Sequence, residues 1–246
     1  MNNEILQIHL NSAMADKYNS NTTSDCDFYL PLIEVPQQHT IYLSVQHAII
    51  PYTFYNINIS NNLISYSYNS IVFNIIIPIG NYNAYSFLSV LKAGFTANMT
   101  VTYDILTNKY SFTHNTYEFI ILGTSTGLSL IGFKNGINTS STNKSLTSHN
   151  SINLQSKHCI CIQSNLQTGS INNSSKNESN IICSIPIDKP PFSMITYQNH
   201  NNLKYNLFNS SIRSLNLRLT DQNNSLIDLN GCHWSISIQI EVVKFV

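Results

Sequence analysis

Histidine and cysteine side chains that lie close together in the sequence are the first candidates for chemistry, because they are the usual ligands of zinc. His158, Cys159 and Cys161 form one group, and Cys232 and His233 form a second group near the C-terminus. Structural zinc sites commonly draw two thiolates from a C-x2-C turn. Cys159 and Cys161 instead share one face of a predicted strand, and His158 lies on the opposite face. We therefore expect packed thiols here and no metal site.

A catalytic nucleophile is the second kind of chemistry that the residue types allow. Eight histidines and five cysteines can be combined on paper into a Cys–His pair. The sequence contains no H-E-x-x-H motif, no P-loop and no G-x-G-x-x-G phosphate loop, and only eight glycines are present to build such loops. We expect no catalytic residues and no cofactor, so the protein is not expected to be an enzyme.

Two arginines are the candidates for a specific ionic contact, because the chain has no others. Arg213 and Arg218 lie in one predicted strand, which precedes Asp221 and Asp228. Arginine suits a half-buried carboxylate better than lysine does, because its planar guanidinium can donate two parallel hydrogen bonds. Such a pair either joins two subunits or fixes a hairpin within the chain, and we favour the intrachain pair.

The charge balance of the chain excludes several classes of function. The 246 residues include twelve Lys and Arg against twelve Asp and Glu, and charged residues make up 10% of the chain, against about 25% in an average soluble domain. A protein that neutralises phosphates needs a basic surface, so we expect no nucleic-acid partner. No apolar stretch reaches the roughly 20 residues that span a bilayer, and five dispersed cysteines indicate reduced thiols. We expect no membrane span and a reducing compartment.

Alternating apolar residues predict the first strands. Ile41 to Ile50 is one strand, and it is expected to bury Ile41, Leu43, Val45 and Ile49 on one face. Leu63 to Tyr68 and Ile71 to Ile77 are predicted as two further strands about a turn at Asn69-Ser70. The second of these is so apolar that we expect both of its faces to be covered.

Residues 80 to 133 are predicted to form a compact α+β unit. The helix follows Gly80-Asn81, with Asn81 or Asn83 as its N-cap and Gly94 near its end. Its buried face is expected to hold Ala84, Phe87, Leu88, Leu91 and Phe95. A hairpin follows, with its turn at Thr107-Asn108-Lys109.

The strongest strand pattern is at the C-terminus. Its inward face is predicted to consist of Trp234, Ile236, Ile238, Ile240 and Val242. Asn230-Gly231 is typical of a type I′ turn, since both residues tolerate a positive φ angle. We therefore expect a closing hairpin in which Leu226 to Leu229 pairs with this last strand.

Many short strands with turn residues between them, little helix and no βαβ alternation predict a mostly β fold. The best interpretation is a single jelly-roll sandwich with a small inserted α+β unit. Residues 1–25 are expected to be an N-terminal arm that orders on contact with a neighbouring subunit. Residues 26–246 are expected to be the jelly-roll domain, with the unit 80–133 inserted and the polar tract 134–150 as a linker.

Several phrases spread over nearly the whole chain resemble those of one known family. They are Ser44–Ile57, Ile77–Asn83 and Thr100–Asp104 on either side of the helix, Ile185–Asp188, and the ending Leu217–Asp221 and Leu226–Gly231 with Trp234. These phrases resemble the single jelly-roll penton, or vertex minor capsid, proteins of virophages, polinton-like viruses and related giant viruses.

The resemblance implies a structural virion protein that forms a homopentamer at the fivefold vertex of an icosahedral capsid. It would be made in the host cytoplasm, and its neighbour in the virion would be a double jelly-roll major capsid protein. Two alternatives remain open. One is a minor capsid or spike-base protein elsewhere in the virion. The other is a lectin-like β-sandwich for host attachment, which would need aromatic residues in a loop-lined depression, whereas the tracts 135–150 and 168–180 have no Phe, Trp or Tyr.

Overall fold

The structure is a computed structural model that describes residues 4–155, 157–166, 170–171, 178–209 and 211–244. It contains an α-helix and short 3-10 helices at Ser12–Met14 and Leu128–Ile131. The strands and α1 follow in chain order: β1 (Glu4–Asn11), β2 (Lys17–Tyr18), β3 (Asp25–Glu34), β4 (His39–Pro51), β5 (Leu63–Tyr68), β6 (Ile71–Ile76), α1 (Ala84–Gly94), β7 (Met99–Asp104), β8 (Lys109–His114), β9 (Phe119–Ile121), β10 (Thr139–Ser140), β11 (Ser145–Thr147), β12 (Cys159–Ser164), β13 (Ser170–Ile171), β14 (Glu178–Ser179), β15 (Ile181–Pro186), β16 (Met194–Gln198), β17 (Tyr205–Leu207), β18 (Ser211–Thr220) and β19 (Ser235–Lys244).

The chain divides into two compact units. The first unit comprises Met1–Phe54 and Lys157–Val246, and the second comprises Tyr55–Ser156. Each has its own hydrophobic core.

The first unit is a sandwich of two antiparallel sheets. One sheet has the strand order β1-β19-β4-β16, with β17 also paired to β4, and the other has the order β15-β12-β18-β3-β2. Consecutive strands such as β3 and β4, or β18 and β19, belong to different sheets, as they do in a jelly roll. Both sheets contribute to one core. The expected fold class, a mostly β jelly-roll sandwich with an inserted α+β unit, is confirmed.

The buried face of β4 changes at a β-bulge. Ser237 of β19 pairs with His47, whereas the next residue, Ile238, pairs with Val45, so Gln46 is the extra residue. Because side chains alternate along a strand, one extra residue moves the following side chains to the opposite face. Ala48 and Ile50 are therefore buried. Our assignment of Ile49 to the buried face was wrong, since Ile49 is only half-buried.

The last strand, β19, buries its alternate residues as predicted, and Trp234 directly before it is also buried. The turn is confirmed as well. Asn230 and Gly231 have φ angles of 51° and 79°, and the Cys232 amide donates to the Leu229 carbonyl over 3.0 Å.

The partner predicted for this hairpin was wrong. Strand β19 pairs with β1 and β4 instead of Leu226 to Leu229. The segment from Leu226 returns along β18, where the Ile227 amide donates to the Leu219 carbonyl over 3.0 Å. Ile227 is fully buried there, so burial of apolar side chains outweighs the short-range hairpin signal.

The first residues also differ from the expected arm. Strand β1 pairs with β19 along its whole length, from Glu4 opposite Val242 to Asn11 opposite Ser235. Leu10 belongs to the core, and the Ser12 amide donates to the Trp234 carbonyl over 2.9 Å. This part of residues 1–25 therefore belongs to the sheet of the same chain. The sequence did not reveal this pairing. The apolar pattern consists of only four residues, Ile5, Leu6, Ile8 and Leu10, and a mostly polar tract begins at Lys17.

The second unit holds α1 against two antiparallel sheets, which have the orders β10-β9-β5-β6 and β11-β8-β7. The predicted helix and the hairpin β7–β8 are confirmed. Of the two candidate caps, Asn83 is the one used: its side chain accepts hydrogen bonds from the amides of Tyr85 and Ser86, and the Ser86 hydroxyl accepts from the Asn83 amide. This reciprocal arrangement is a capping box.

The second unit is larger than the predicted insertion 80–133. Strands β5 and β6 belong to it, because Tyr66 of β5 packs against Phe95 after α1 with ring centroids 4.7 Å apart. The tract 134–150, expected to be a linker, contains β10 and β11, and Leu146 is part of the core. Cross-strand pairing with β9 and β8 gives these polar residues their structure. The sequence did not reveal the two strands, because the tract has no apolar periodicity.

Strand β6 is not covered on both faces as we expected. It is the last strand of its sheet. Ile75 is buried against Gly94 of α1, whereas Ile71, Val72 and Ile76 are each more than half exposed. Within the described residues, no helix is long and apolar enough to cross a membrane.

Candidate assembly surface

The structure gives no support to a metal site at the cysteines and histidines. Across the described ranges, no group of three or more His, Cys, Asp or Glu side chains is placed to hold a metal ion. Cys159 and Cys161 share one face of β12 with their Sγ atoms 3.8 Å apart, and His158 is exposed. The His233 Nδ1 lies 3.2 Å from the hydroxyl of Ser12, which begins the 3-10 helix after β1, so this hydroxyl orients the His233 ring.

The environment of these thiols disfavours nucleophilic chemistry. Burial, followed by the neighbouring Cys159, raises the pKa of the Cys161 thiol to about 11. Burial likewise raises the pKa of Cys183 to about 11 and that of Cys26 to about 12. A thiol reacts as its thiolate, so cysteines with such pKa values are inert near neutral pH.

One motif with catalytic spacing was missed in the sequence. Gly123 to Gly127 reads G-T-S-T-G, which has the G-x-S-x-G spacing of a nucleophile elbow, and it follows strand β9 and precedes a 3-10 helix. The Ser125 hydroxyl is buried, donates to the Leu122 carbonyl over 2.7 Å and lies 3.2 Å from the Ser65 carbonyl. The Ser65 amide in turn donates to this hydroxyl over 2.8 Å. Ser125 therefore ties β5 to the turn after β9.

Arg218 forms an ion pair within the chain, but with a different carboxylate from those considered. Its Nε lies 3.2 Å from the Asp25 Oδ2, and the two residues face each other in the ladder of β18 and β3. Asp221 and Asp228 instead accept backbone amides in their own turns. Arg213 is exposed at the bulge between β18 and β3. The choice of the intrachain pair was correct, but the predicted hairpin partner was wrong.

Trp234 is a core residue, as predicted. It is 2% exposed, and its ring packs edge-on against Phe28 with centroids 6.3 Å apart. The indole Nε1–H donates to the Thr23 carbonyl over 2.7 Å. Its polar group is therefore satisfied inside the protein.

Exposed apolar side chains in the first unit are concentrated at the edges of its sheets. The first group, which we call the Tyr29 edge, consists of Tyr18, Tyr29 and Leu32, and Tyr29 is 66% exposed. Strand β2 covers β3 only at Asp27 and Cys26, so the rest of β3 is the outer strand. Pro31 lies opposite a register shift of the ladder, where a residue without an amide hydrogen is tolerated.

The second group, which we call the Phe192 edge, consists of Phe192, two residues before β16, and Met194, the first residue of β16. The Phe192 ring is 78% exposed and its φ angle is 67°. A positive φ strains a bulky side chain, and such strain persists only where the surroundings enforce it. Here the Phe192 amide donates to the Tyr52 carbonyl over 2.8 Å, and the Tyr52 amide donates to the Ser193 carbonyl over 2.9 Å. The backbone thus holds a large apolar ring out in the solvent.

A depression of about 480 Å³ lies elsewhere in the first unit, between the turn before β4 and the residues after β17. Its walls include Gln37, Gln38, His39 and Asn206, and Phe208 at its rim is 66% exposed. Gln38 occupies the turn with a φ angle of 62°. Uncharged hydrogen-bonding groups beside an exposed ring are the surroundings that suit a neutral polyhydroxylated ligand.

Comparison with known proteins agrees with the fold just described. No protein-family model matches the chain, and no curated protein is significantly similar in sequence. Among solved structures, the chain is similar to the crystal structure of the selenomethionine-labelled mavirus penton protein, with a TM-score of 0.53 and 12% sequence identity. The likeness covers 99% of this chain and 100% of that one. The resemblance to penton proteins seen in the sequence is thereby confirmed at the level of the fold.

Proposed function

We propose that this chain is a penton-type capsid protein that assembles as a homopentamer at the fivefold vertex of an icosahedral capsid. The observation that carries the proposal is the likeness to a mavirus penton protein along the full length of both chains. A likeness confined to the sandwich would fit many unrelated proteins, because jelly rolls host many functions. Here the inserted second unit lies within the matched length as well.

The surface of the first unit supports lateral assembly. A ring of identical subunits needs two different complementary patches on each chain, one for each neighbour. The Tyr29 edge and the Phe192 edge are two such patches on different sheets. Aromatic and Met side chains are enriched in protein interfaces and Lys and Glu are depleted, which matches these edges and the low charge of the chain. In the proposed pentamer, the Tyr29 edge of one subunit contacts the Phe192 edge of the next.

The mass of the assembled protein tests the pentamer. Five chains of 27.8 kDa give about 139 kDa, measured by light scattering after size exclusion or by native mass spectrometry. Tyr29→Ser and Phe192→Asn should each abolish the pentamer, and Asn tolerates the positive φ at position 192. Tyr85→Ser removes a tyrosine of similar exposure, 58% against 66% for Tyr29, from α1 in the second unit and is the matched control.

Mixing the two variants distinguishes this arrangement from other interfaces. Each variant keeps one intact edge, so a mixture should form dimers of about 56 kDa, twice 27.8 kDa, and no ring. A parent protein that stays monomeric at millimolar concentration contradicts the pentamer. A pentamer that persists in both variants contradicts the assignment of the two edges but not the pentamer itself.

In the virion, the neighbour of the pentamer is a double jelly-roll major capsid protein, and the subunits are made in the host cytoplasm before assembly. The competing position is a minor capsid or spike base away from the vertex. A particle map decides between them, because density for this fold around the fivefold axes supports the penton and density elsewhere supports the alternative.

A host-attachment role is the second candidate, and the depression beside Phe208 is the observation that favours it. Its lining residues supply amide, imidazole and hydroxyl groups and no carboxylate or ammonium group. A glycan array with the parent and a Phe208→Ala variant tests this role. Saturable binding of a glycan by the parent, lost in the variant, supports attachment. If the parent binds no glycan, only the capsid role remains.

A further inference from the structure

His114, at the end of β8 in the second unit, is a buried titratable group with an unusual set of partners. Its side chain is 1% exposed. The Nδ1 atom accepts two backbone hydrogen bonds, from the Thr116 amide over 3.0 Å and from the Tyr117 amide over 2.9 Å. An atom that accepts two N–H groups carries no proton, so the neutral ring must hold its proton on Nε2.

The other ring nitrogen, Nε2, is left unsatisfied by the part of the chain that the structure describes. Nε2 is buried, and none of the described residues accepts a hydrogen bond from it. The ring lies between two aromatic side chains, with centroids 4.3 Å from Tyr68 and 5.6 Å from Tyr117. A second proton on this ring would therefore bury a cation for which the described residues supply no carboxylate partner. Attraction to the aromatic rings offsets only part of the cost of removing that cation from water.

The groups around His114 do not offset that cost. From the turn between β10 and β11, the Lys144 carbonyl accepts from the His114 amide over 2.9 Å, and the Lys144 ammonium opposes a positive imidazole. The carboxylate of Glu118 is engaged by the Ser141 hydroxyl and by the Lys144 amide. From β5 and from the turn itself, the facing side chains are the phenol rings of Tyr68 and Tyr117, and neither supplies a carboxylate. Burial, and then Lys144, lower the pKa of His114.

We infer that the turn Asn115–Tyr117 is an acid-sensitive switch, which opens when His114 takes up a proton from solvent at Nδ1. The protonated atom becomes a donor that faces two amide donors, so the bonds to Thr116 and Tyr117 break together. Rotating the ring does not restore them, because it brings a carbon to the same position. The Asn115 amide remains anchored to the Asn98 carbonyl, so the opening is confined to the two residues that follow.

The size of the effect follows from proton linkage. The closed turn has the lowered pKa, whereas an open turn exposes an ordinary histidine with a pKa of about 6.5. The open form therefore binds more protons, and the closed form loses stability as the pH falls below about 6.5. Between pH 7.4 and pH 5.0, the ratio of open to closed turn should rise by up to about 30-fold.

Hydrogen exchange on the full chain tests this inference. In the parent protein, the protection of the Thr116 and Tyr117 amides, corrected for intrinsic exchange, should fall by up to about 30-fold from pH 7.4 to pH 5.0. His114→Asn should remove this dependence, because the Asn Oδ1 occupies the place of Nδ1, accepts the same two amides and does not titrate. His149→Asn, which changes an exposed histidine in the same unit, should keep the response.

Protection that stays constant in the parent overturns the inference, and so does a His114→Asn variant that loses protection like the parent. If that variant does not fold, nitrogen NMR of the parent provides the test. The proton should sit on Nε2 at pH 7.4, and protonation of Nδ1 should coincide with the loss of the two amide bonds. A ring that protonates while both bonds persist refutes the switch. The result does not depend on the pentamer, so the two proposals fail separately.

Discussion

Removing the Trp234 side chain should cost the first unit a large share of its stability. The side chain is almost fully buried, and a Trp of this kind covers about 150–250 Å² of surface, which at about 25 cal/mol per Å² corresponds to roughly 4–6 kcal/mol. Measured truncations of buried Phe and Trp to Ala cost about 3–5 kcal/mol. Trp234→Ala also leaves the Thr23 carbonyl without its 2.7 Å donor. We therefore expect a loss of about 4–5 kcal/mol in the free energy of unfolding.

A series of three variants separates the sources of this loss. Trp234→Phe keeps most of the buried ring but removes the indole N–H, so it should cost about 1–2 kcal/mol. Met14→Ala truncates a side chain that is 80% exposed and lies outside both proposed edges, so it should change stability by less than about 0.5 kcal/mol. Urea unfolding followed by circular dichroism gives the three values. Trp234 is the only tryptophan, so in the parent its fluorescence assigns one transition to the first unit.

The second unit serves as the internal reference, because it has a separate core. If the two units unfold separately, the urea concentration at the midpoint of its unfolding transition should be unchanged in all three variants. A Trp234→Ala protein within about 1 kcal/mol of the parent would refute the reasoning, since no buried Trp that packs on Phe28 and donates to Thr23 could be removed so cheaply.

Three further predictions concern other parts of the chain. Deleting residues 1–11 removes one of the two strands that pair with β19, so the melting temperature of the first unit should fall. An unchanged melting temperature would show that β1 is a detachable arm. With a thiol reagent at pH 8, the half-buried Cys159 and Cys232 should react first. Cys26, Cys161 and Cys183 should react only on unfolding, because burial raises their pKa values to about 11 or 12, and peptide mass spectrometry of the labelled protein assigns the sites. Gly132→Ala should destabilise the second unit by more than about 2 kcal/mol in urea unfolding, because Gly132 has a φ angle of 78° and an added Cβ would lie 2.2 Å from the Asn150 carbonyl oxygen. The control Gly136→Ala, at a φ angle of 75° with open space around it, should cost about 1 kcal/mol.

The elements that could be predicted are those in which local chemistry and tertiary packing agree. Helix α1 was predictable because its apolar spacing and the Asn83 cap lie within one short segment. The hairpin β7–β8 was predictable because Asn108 supplies the positive φ that its turn requires. The inward face of β19 follows from strict alternation. In each case, the residues that carry the signal are neighbours in the sequence.

The errors arose where a distant partner decides the structure. The phase of β4 changes at Gln46 because the register of β19 changes there, and nothing near Gln46 signals a bulge. Leu226 to Leu229 follows β18 rather than β19 because Ile227 is buried on that path. Strands β10 and β11 form from polar residues that β9 and β8 pair with. Composition describes such a tract as a linker, because cross-strand pairing leaves no periodic pattern in it.

The candidate surfaces were less predictable than the fold, and for a physical reason. A core is encoded by periodic apolar residues, because each element must turn one face inward. A surface for assembly uses apolar residues that break this pattern, and a single sequence does not show which exposed residues do so for a purpose. Phe192 illustrates the point. It follows Pro190-Pro191 and reads as part of a turn. Hydrogen bonds from the Phe192 amide to the Tyr52 carbonyl and from the Tyr52 amide to the Ser193 carbonyl nevertheless hold it at positive φ with its ring in solvent. The same conformation around a glycine would carry no strain, so the presence of Phe there argues that the exposed ring is what the segment supplies.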